Sequence, residues 1–263
     1  MECRITNILR LPLRPLLLSP SSSLGGAERV LLDLISPWKI EVPKKQPQIV
    51  CIEDGPLIEK LITNGFLPNL KKFPEKLLKL GDSPARLENR LSRSVRLGLA
   101  LPALASAIFL WRRWLSRETP AWIHSSVFKT HILAAWSAPK TVNIYWHLHD
   151  FVGDRPLMRK LLNRAWRPGI QALAISNAVA NDFTRHIPKC PLHVWQNTIG
   201  TNVFMPGLQD GNCLNKAAGS APDWQGVRVG MVATYARWKG HDVFIKADTL
   251  AAKQCRFLFV FSW

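Results

Sequence analysis

Along this chain, apolar runs of strand length alternate with stretches of helical periodicity, and that alternation leaves few folds open. The first instance is LLLSPSSSLGGAERVLLDLI, residues 16–35. Three leucines suit a strand, and Ser, Pro and Gly then break it. Val30, Leu31, Leu34 and Ile35 fall on one face of a helix that opens near Ala27–Glu28. PQIVCIEDG reads as a second strand, and PLIEKLITNG as a helix closed by Gly65. AWIHSS, TVNIYWHLHD, ALAISN and LHVWQNT read as further strands, with VFKTHILAAWSA, RPLMRKLLNRAW and AVANDFTRH as the helices between them. This order predicts an α/β fold, a parallel sheet wrapped by helices, over residues 14–204.

The composition then changes. Residues 205–226, MPGLQDGNCLNKAAGSAPDWQG, are rich in Gly, Asn, Pro and Asp and read as a linker or a long surface loop. Residues 227–263 start a second strand–loop–helix–strand unit. One such unit cannot bury both faces of its sheet, so the expectation is the incomplete start of a second domain. A length of 263 residues with 47% hydrophobic content suits one large domain or two small ones with a packed core.

Charge narrows the partners. A net charge of +17 and a pI near 10.2 draw the chain toward polyanions. Anionic lipid or a phosphorylated substrate is the favoured partner; nucleic acid is not expected, because no DNA- or RNA-binding module signature is present. The opening MECRITNILRLPLRP has no apolar core of signal-peptide length. LGLALPALASAIFLW, residues 97–111, is shorter than the ~20 residues a span needs and holds Pro102. It reads as a buried or surface-lying helix closed by Trp111, Arg112, Arg113 and Trp114, a pattern that suits either a core helix with a solvated end or a membrane interface. The five cysteines have no CxxC pair, which fits a reducing compartment and argues against a zinc site. A cytoplasmic location, peripheral on the inner face of the membrane, is the expectation.

Four places carry candidate chemistry. Gly25 and Gly26, between strand and helix, suit either an ordinary turn or close backbone approach to an anion at the helix N-terminus. In YWHLHDF, alternation puts His147 and His149 on one side of a strand whose C-terminal end is where parallel sheets bind ligands. Ser176 and Asn177 follow a strand and read first as a helix N-cap. In VATYARWKGHDVF, Arg237 and Lys239 precede Gly240 and a helix, an arrangement suited to phosphate. The GxGxxG and GxxxxGK[ST] fingerprints are absent.

Five segments, taken in order, resemble glycosyltransferase family 4: GGAERVLLDL, WHLHDF, ALAISNAVANDF, VWQNTIGTNVF and GMVATYARWKGHDVFIKA. The resemblance implies the GT-B fold, two Rossmann-like domains facing across a cleft. It also implies retaining transfer of a sugar from a nucleotide-diphosphate-sugar donor to a lipid-linked or saccharide acceptor. It assigns Gly25 and Gly26 to the donor diphosphate, and His149, which precedes Asp150, to the donor sugar or the aligned acceptor. Glu28 and Arg29 are expected as helix-terminal surface residues. QNTIGTNVF resembles the family's PNGID turn, with Thr198 in place of its glycine and Gly200 in place of its aspartate, so Asn197 is carried over as a cleft residue. Lys239 matches the family's cation at the leaving diphosphate. Thr234 stands where an Arg is expected, and Arg237 is the candidate replacement. No cofactor and no metal are implied, since there is no DxD motif.

The family's Glu-x7-Glu pair does not follow Gly240; the last 23 residues contain no Glu. The expectation is a chain truncated within its donor-binding domain and inactive as it stands. The alternatives from other classes are a noncatalytic basic module for a membrane surface or protein partner, and a basic nucleic-acid binder.

Overall fold

Leu16, Leu17 and Leu18 are at most 1 % exposed, because their strand lies inside a sheet covered on both faces. Burying each such side chain is worth about 1.5–3 kcal/mol. The computed structural model describes residues 14–20, 24–41, 46–74, 90–201, 205, 207, 215–216, 219, 227–233, 235, 239–251 and 257–262. It divides into two compact units, Met1–Gly200 and Thr201–Trp263.

The first unit runs β1 (Leu16–Ser19), α1 (Gly26–Glu41), β2 (Gln48–Cys51), α2 (Pro56–Thr63), β3 (Asn69–Leu70), α3 (Arg90–Glu118), β4 (Trp122–Ser125), α4 (Phe128–Ser137), β5 (Asn143–Leu148), α5 (Pro156–Ala165), β6 (Ile170–Ala174), α6 (Asn177–His186) and β7 (Leu192–Val194). Its sheet has the order β3-β2-β1-β4-β5-β6-β7, and every pairing is parallel. The loops after β1 and β5, which carry Gly25–Gly26 and His149, therefore leave the same edge. The strand order turns between β1 and β4, where open α/β sheets form a ligand crevice.

Alternation along the strands builds two cores. Leu16 and Leu18 join Val50, Ile123, Ile144 and Trp146 under α3–α6; Leu17 joins Ile49 with Leu31 and Ile35 of α1 and Leu57 and Leu61 of α2. Gly65 closes α2 as the pattern predicts. At φ +82° it takes a left-handed conformation that other residues resist, its N–H bonds the carbonyl of Ile62, and the N–H of Phe66 bonds that of Leu61. The two-residue strand β3 has no counterpart in the sequence reading; both of its side chains are exposed, so no apolar run marks it.

The apolar stretch of residues 97–111 lies in α3, a helix that continues through Pro102. Trp111 is 3 % exposed and Trp114 is half-buried, their rings 5.3 Å apart edge to face, and the Lys71 ammonium lies 5.8 Å and 4.9 Å from the two ring centres. The aromatic half of the membrane-interface pattern is thus core. Among the described residues of α3, the large apolar side chains that are exposed are Phe109 and Leu110, beside exposed Arg112 and Arg113. Among the described residues no helix is long and apolar enough to cross a membrane.

The second unit pairs β8 (Val227–Val232) in parallel with β9 (Phe257–Ser262) across α7 (His241–Ala251). Gly240, at φ +77°, lets the chain turn into α7, and its carbonyl accepts from the N–H of Phe244 at 2.9 Å.

Candidate functional site

The glycine loop after β1 is held by its own helix. The Gly25 N–H donates to the Glu28 carboxylate at 3.0 Å, the half of a capping box in which the N3 residue reaches back to the N-cap. Glu28 is buried at 6 % exposure, not a surface residue as the sequence suggested. A Cβ added at Gly26 would meet open space, so backbone at this helix N-terminus stays approachable.

The neighbouring strands bring histidines together. His124 of β4 and His147 of β5 are both at most 4 % exposed, and His124 Nε2 lies 3.1 Å from His147 Nδ1. One of these nitrogens donates and the other accepts. The ring of His149 sits 4.3 Å from that of His147, and the Trp195 indole, just past β7, stacks over His147 at 6.0 Å. Burial and the neighbouring imidazoles push both His124 and His147 down to about 3. Burial also lowers His149, with the Asp150 carboxylate opposing. A buried imidazole of this kind is neutral at pH 7. It offers one N–H and one bare nitrogen, which suits hydrogen bonding to hydroxyls. The Nε2 atoms of His147 and His149 are buried without a partner. Among the described residues no group of His, Cys, Asp and Glu is arranged to hold a metal ion.

The loop that carries His149 is pinned from α6. Asp182 accepts the N–H of Val152 at 2.7 Å and that of Gly153 at 3.0 Å, and Asp150 pairs with Arg155 at 3.4 Å. Ser176 is the N-cap of α6, its hydroxyl accepting the Val179 N–H at 3.3 Å, as its place after a strand suggested.

A pocket opens at this edge between α1 and the segment after β7. Val30 and Leu34 form its α1 wall; His147, Trp195 and the exposed Asn197 complete it with their neighbours. The structure therefore brings Asn197 to His147, beside the ring of His149. His124 and Trp195 are the members the sequence reading did not single out. His124 shares the strand face that carries His147 only through the β4–β5 register, which the structure supplies. Lys239 is exposed and immediately precedes Gly240 in the second unit. Arg237 and Thr234 lie outside the described residues.

The model of Glycosyltransferase Family 4 matches residues 70–203, just over half of the chain. No curated protein matches it. Among solved structures, Anabaena HepE in complex with UDP is similar with a TM-score of 0.65 at 18% identity, over 95% of this chain and 61% of that one. HepE in complex with UDP-glucose gives 0.64 at 19% identity, over 95% and 60%. The lipopolysaccharide outer core galactosyltransferase WaaB, in its apo form, gives 0.55 at 14% identity, over 94% and 60%. The chain thus spans about 60% of the length of these proteins, and the likeness at such identity is one of fold.

Proposed function

Because this chain belongs to Glycosyltransferase Family 4 and has the Rossmann-like α/β fold of the GT-B enzymes, we propose that it is part of a retaining glycosyltransferase. That enzyme moves a sugar from a nucleotide-diphosphate-sugar to a lipid-linked or saccharide acceptor, in polysaccharide or glycolipid synthesis. The observation that carries this reading is the edge of the first sheet. There a helix N-terminus with approachable Gly26 backbone and a neutral, partner-seeking His149 leave the same side of seven parallel strands.

The roles follow from what sugar transfer requires. Charge builds on the leaving diphosphate, and a cation at a helix N-terminus stabilises it. In the second unit that charge is assigned to Lys239, with Arg237 near it in sequence; in the first unit the Gly25–Gly26 segment offers backbone polarity to an anion. His149 holds a sugar hydroxyl by hydrogen bond, and Asn197 lines the substrate side. The domain reading is an acceptor-side domain over 14–204, a linker over 205–226 and the start of the nucleotide-sugar domain over 227–263. UDP is the nucleotide in the HepE complexes, so UDP-glucose is the first donor to try.

The test is transfer from radiolabelled nucleotide sugars by the 263-residue chain beside a longer form carrying a complete second domain. Transfer by the longer form that falls by about two to three orders of magnitude in Lys239→Ala, the scale of losing one charge-stabilising group, supports the reading. His149→Ala is expected to lower turnover while leaving the melting temperature in place. Transfer indifferent to both substitutions removes these assignments.

The exposed Phe109–Leu110 pair beside Arg112 and Arg113 favours attachment to an anionic membrane, on the cytoplasmic face. Salt-sensitive binding to vesicles containing phosphatidylglycerol, weakened by Arg112→Glu with Arg113→Glu, is the expected result. Equal binding to neutral vesicles removes the electrostatic part.

A further inference from the structure

We infer that Asp182 of α6 is a positioning residue for His149: as acceptor for two successive backbone N–H groups it fixes the loop that leaves β5, and with it the place of the His149 ring. The inference rests on the proposed function, which gives His149 its task, and adds a second residue to that task.

His149 is the first residue past β5, and its own loop holds it weakly. Asp150 and Arg155 pair at 3.4 Å with side chains 64 % and 44 % exposed, a contact worth little in water. Phe151 is exposed as well. The firm attachments come from the next strand and helix. On one side of His149 the Ile175 N–H, just past β6, donates to the Leu148 carbonyl at 3.3 Å. On the other side a single oxygen, Asp182 Oδ2, accepts from Val152 at 2.7 Å and from Gly153 at 3.0 Å. Bonds of this kind to a carboxylate are about twice as strong as neutral ones. The chain from residue 175 to 182 thus grips the backbone before and after His149.

Asp182 is itself firmly placed. Ser176 caps its helix, and the next residue, Phe183, is buried edge to face against Trp146 of β5, the strand that leads into His149. The second carboxylate oxygen, Oδ1, faces His186 Nε2 at 3.7 Å. A Cβ on residue 153 would lie 2.5 Å from Oδ1, so it is glycine that lets the loop come this close. An imidazole that holds a substrate hydroxyl works only at the right distance, and a displacement of about 1 Å can cost a hundredfold in rate.

The experiment is an NMR pH titration of the histidine rings of the 263-residue chain, with His149→Ala to assign the His149 signal. Burial holds His149 below its ordinary value of 6.5, with the Asp150 carboxylate opposing. In Asp182→Ala the loop loses both bonds, the ring reaches water, and its midpoint is expected to rise toward 6.5. Loss of a carboxylate charge alone would lower the midpoint, so the direction separates release of the loop from electrostatics. Asp150 and the His147 ring, 4.3 Å away, are the same in both proteins. Asp182→Asn keeps an oxygen that can accept both N–H groups and is expected to restore the parent midpoint. In a longer form with a complete second domain, Asp182→Ala is expected to lower kcat about ten- to a hundredfold with a smaller change in KM, and Asp182→Asn to restore most of it.

A His149 midpoint that stays or falls in folded Asp182→Ala, or an Asn variant as impaired as the Ala variant, overturns the inference. Should Asp182→Ala fail to fold, Gly153→Ala reads the same coupling, since the loop must then move off an intact carboxylate. An unmoved His149 signal there overturns the inference too. Release of His149 with no transfer by any form defeats the enzymatic reading and leaves Asp182 as the residue that places His149. Release with kcat unmoved, while His149→Ala abolishes transfer, defeats the positioning role alone.

Discussion

Two stretches of this molecule share one local pattern, strand, glycine turn, helix, parallel strand, and end in opposite environments. In β1–α1–β2, Leu17, Leu31 and Ile35 are at most 1 % exposed. In β8–α7–β9, Val243, Ile245 and Leu250 of the helix are 65 %, 50 % and 66 % exposed. Both strand pairs are parallel and in register along their length. The local hydrogen bonding is therefore alike, and what differs is company. β1 has a neighbour on each side and helices on each face, whereas among the described residues β8 has β9 alone as its neighbour in a two-stranded sheet. Local pattern makes the elements, and the number of layers around them makes the core.

The broadest test of that contrast removes the same kind of side chain from each region. Leu31→Ala empties a fully enclosed site in the first unit and is expected to cost about 2–5 kcal/mol. Ile245→Ala trims a half-exposed residue and is expected to stay within about 0.5 kcal/mol. Urea unfolding followed by amide exchange, which reports β1 and β8 separately, measures both. Equal losses would show that the second unit has a core of its own and would erase the distinction.

What the sequence disclosed divides along the same line. Gly65, Ser176 and the α1 stripe were legible because their partners lie within four residues, where periodicity and capping rules act. The parallel sheet and the shared edge of Gly25–Gly26 and His149 were legible because strand–helix alternation admits one hand and one direction. Glu28 was misread because an acidic residue in a first helical turn is usually solvated, and nothing local shows that its carboxylate folds back to Gly25. Trp111 and Trp114 could be assigned to lipid or to core with equal ease, and only the position of Lys71 and the sheet decides it. The His124–His147 contact spans 23 residues, and it depends on the β4–β5 register, which no single-strand pattern specifies. Trp195 lines a pocket with Val30 and Leu34 of α1, a neighbourhood that the strand order creates and no local pattern announces.

A second test sharpens the contrast at the loop that carries His149, where the first unit is packed to backbone contact. A Cβ on Gly153 would lie 2.5 Å from Asp182 Oδ1 and 2.9 Å from His186 Nε2. Gly153→Ala is expected to destabilise by about 1–3 kcal/mol, in contrast to Gly240→Ala in the second unit, where no atom stands within 4 Å and only the left-handed φ of 77° opposes the change. Asp182→Ala also costs stability, because the Val152 and Gly153 N–H groups lose their acceptor. Combined, the two substitutions are expected to cost less than their sum, since the clash leaves with the carboxylate. Strict additivity in thermal melts would mean that Asp182 does not hold this loop.

The smallest effect is a slope against pH, and it too belongs to the first unit. His131 of α4 is fully enclosed, its Nδ1 2.7 Å from the Ser125 hydroxyl and its ring stacked on Trp146. Burial first, and then the nearby imidazoles, hold it well below the ordinary histidine value of 6.5. The sign follows from where the proton binds. As pH falls through 6.5 the unfolded chain takes up a proton at this residue and the folded chain does not, so folding loses stability on the acid side. One such group contributes at most about 1.4 kcal/mol per pH unit. His124 and His147, held to about 3, act in the same direction across the same window. His131→Phe keeps an aromatic ring against Trp146, and Ser125 retains the Tyr145 carbonyl at 3.4 Å as its acceptor. The variant is expected to lose stability less steeply between pH 6.5 and about 4, by up to that one-proton slope, when urea midpoints are compared at each pH. Parallel curves for the two proteins would mean that His131 takes up its proton in the folded state as readily as in the unfolded one.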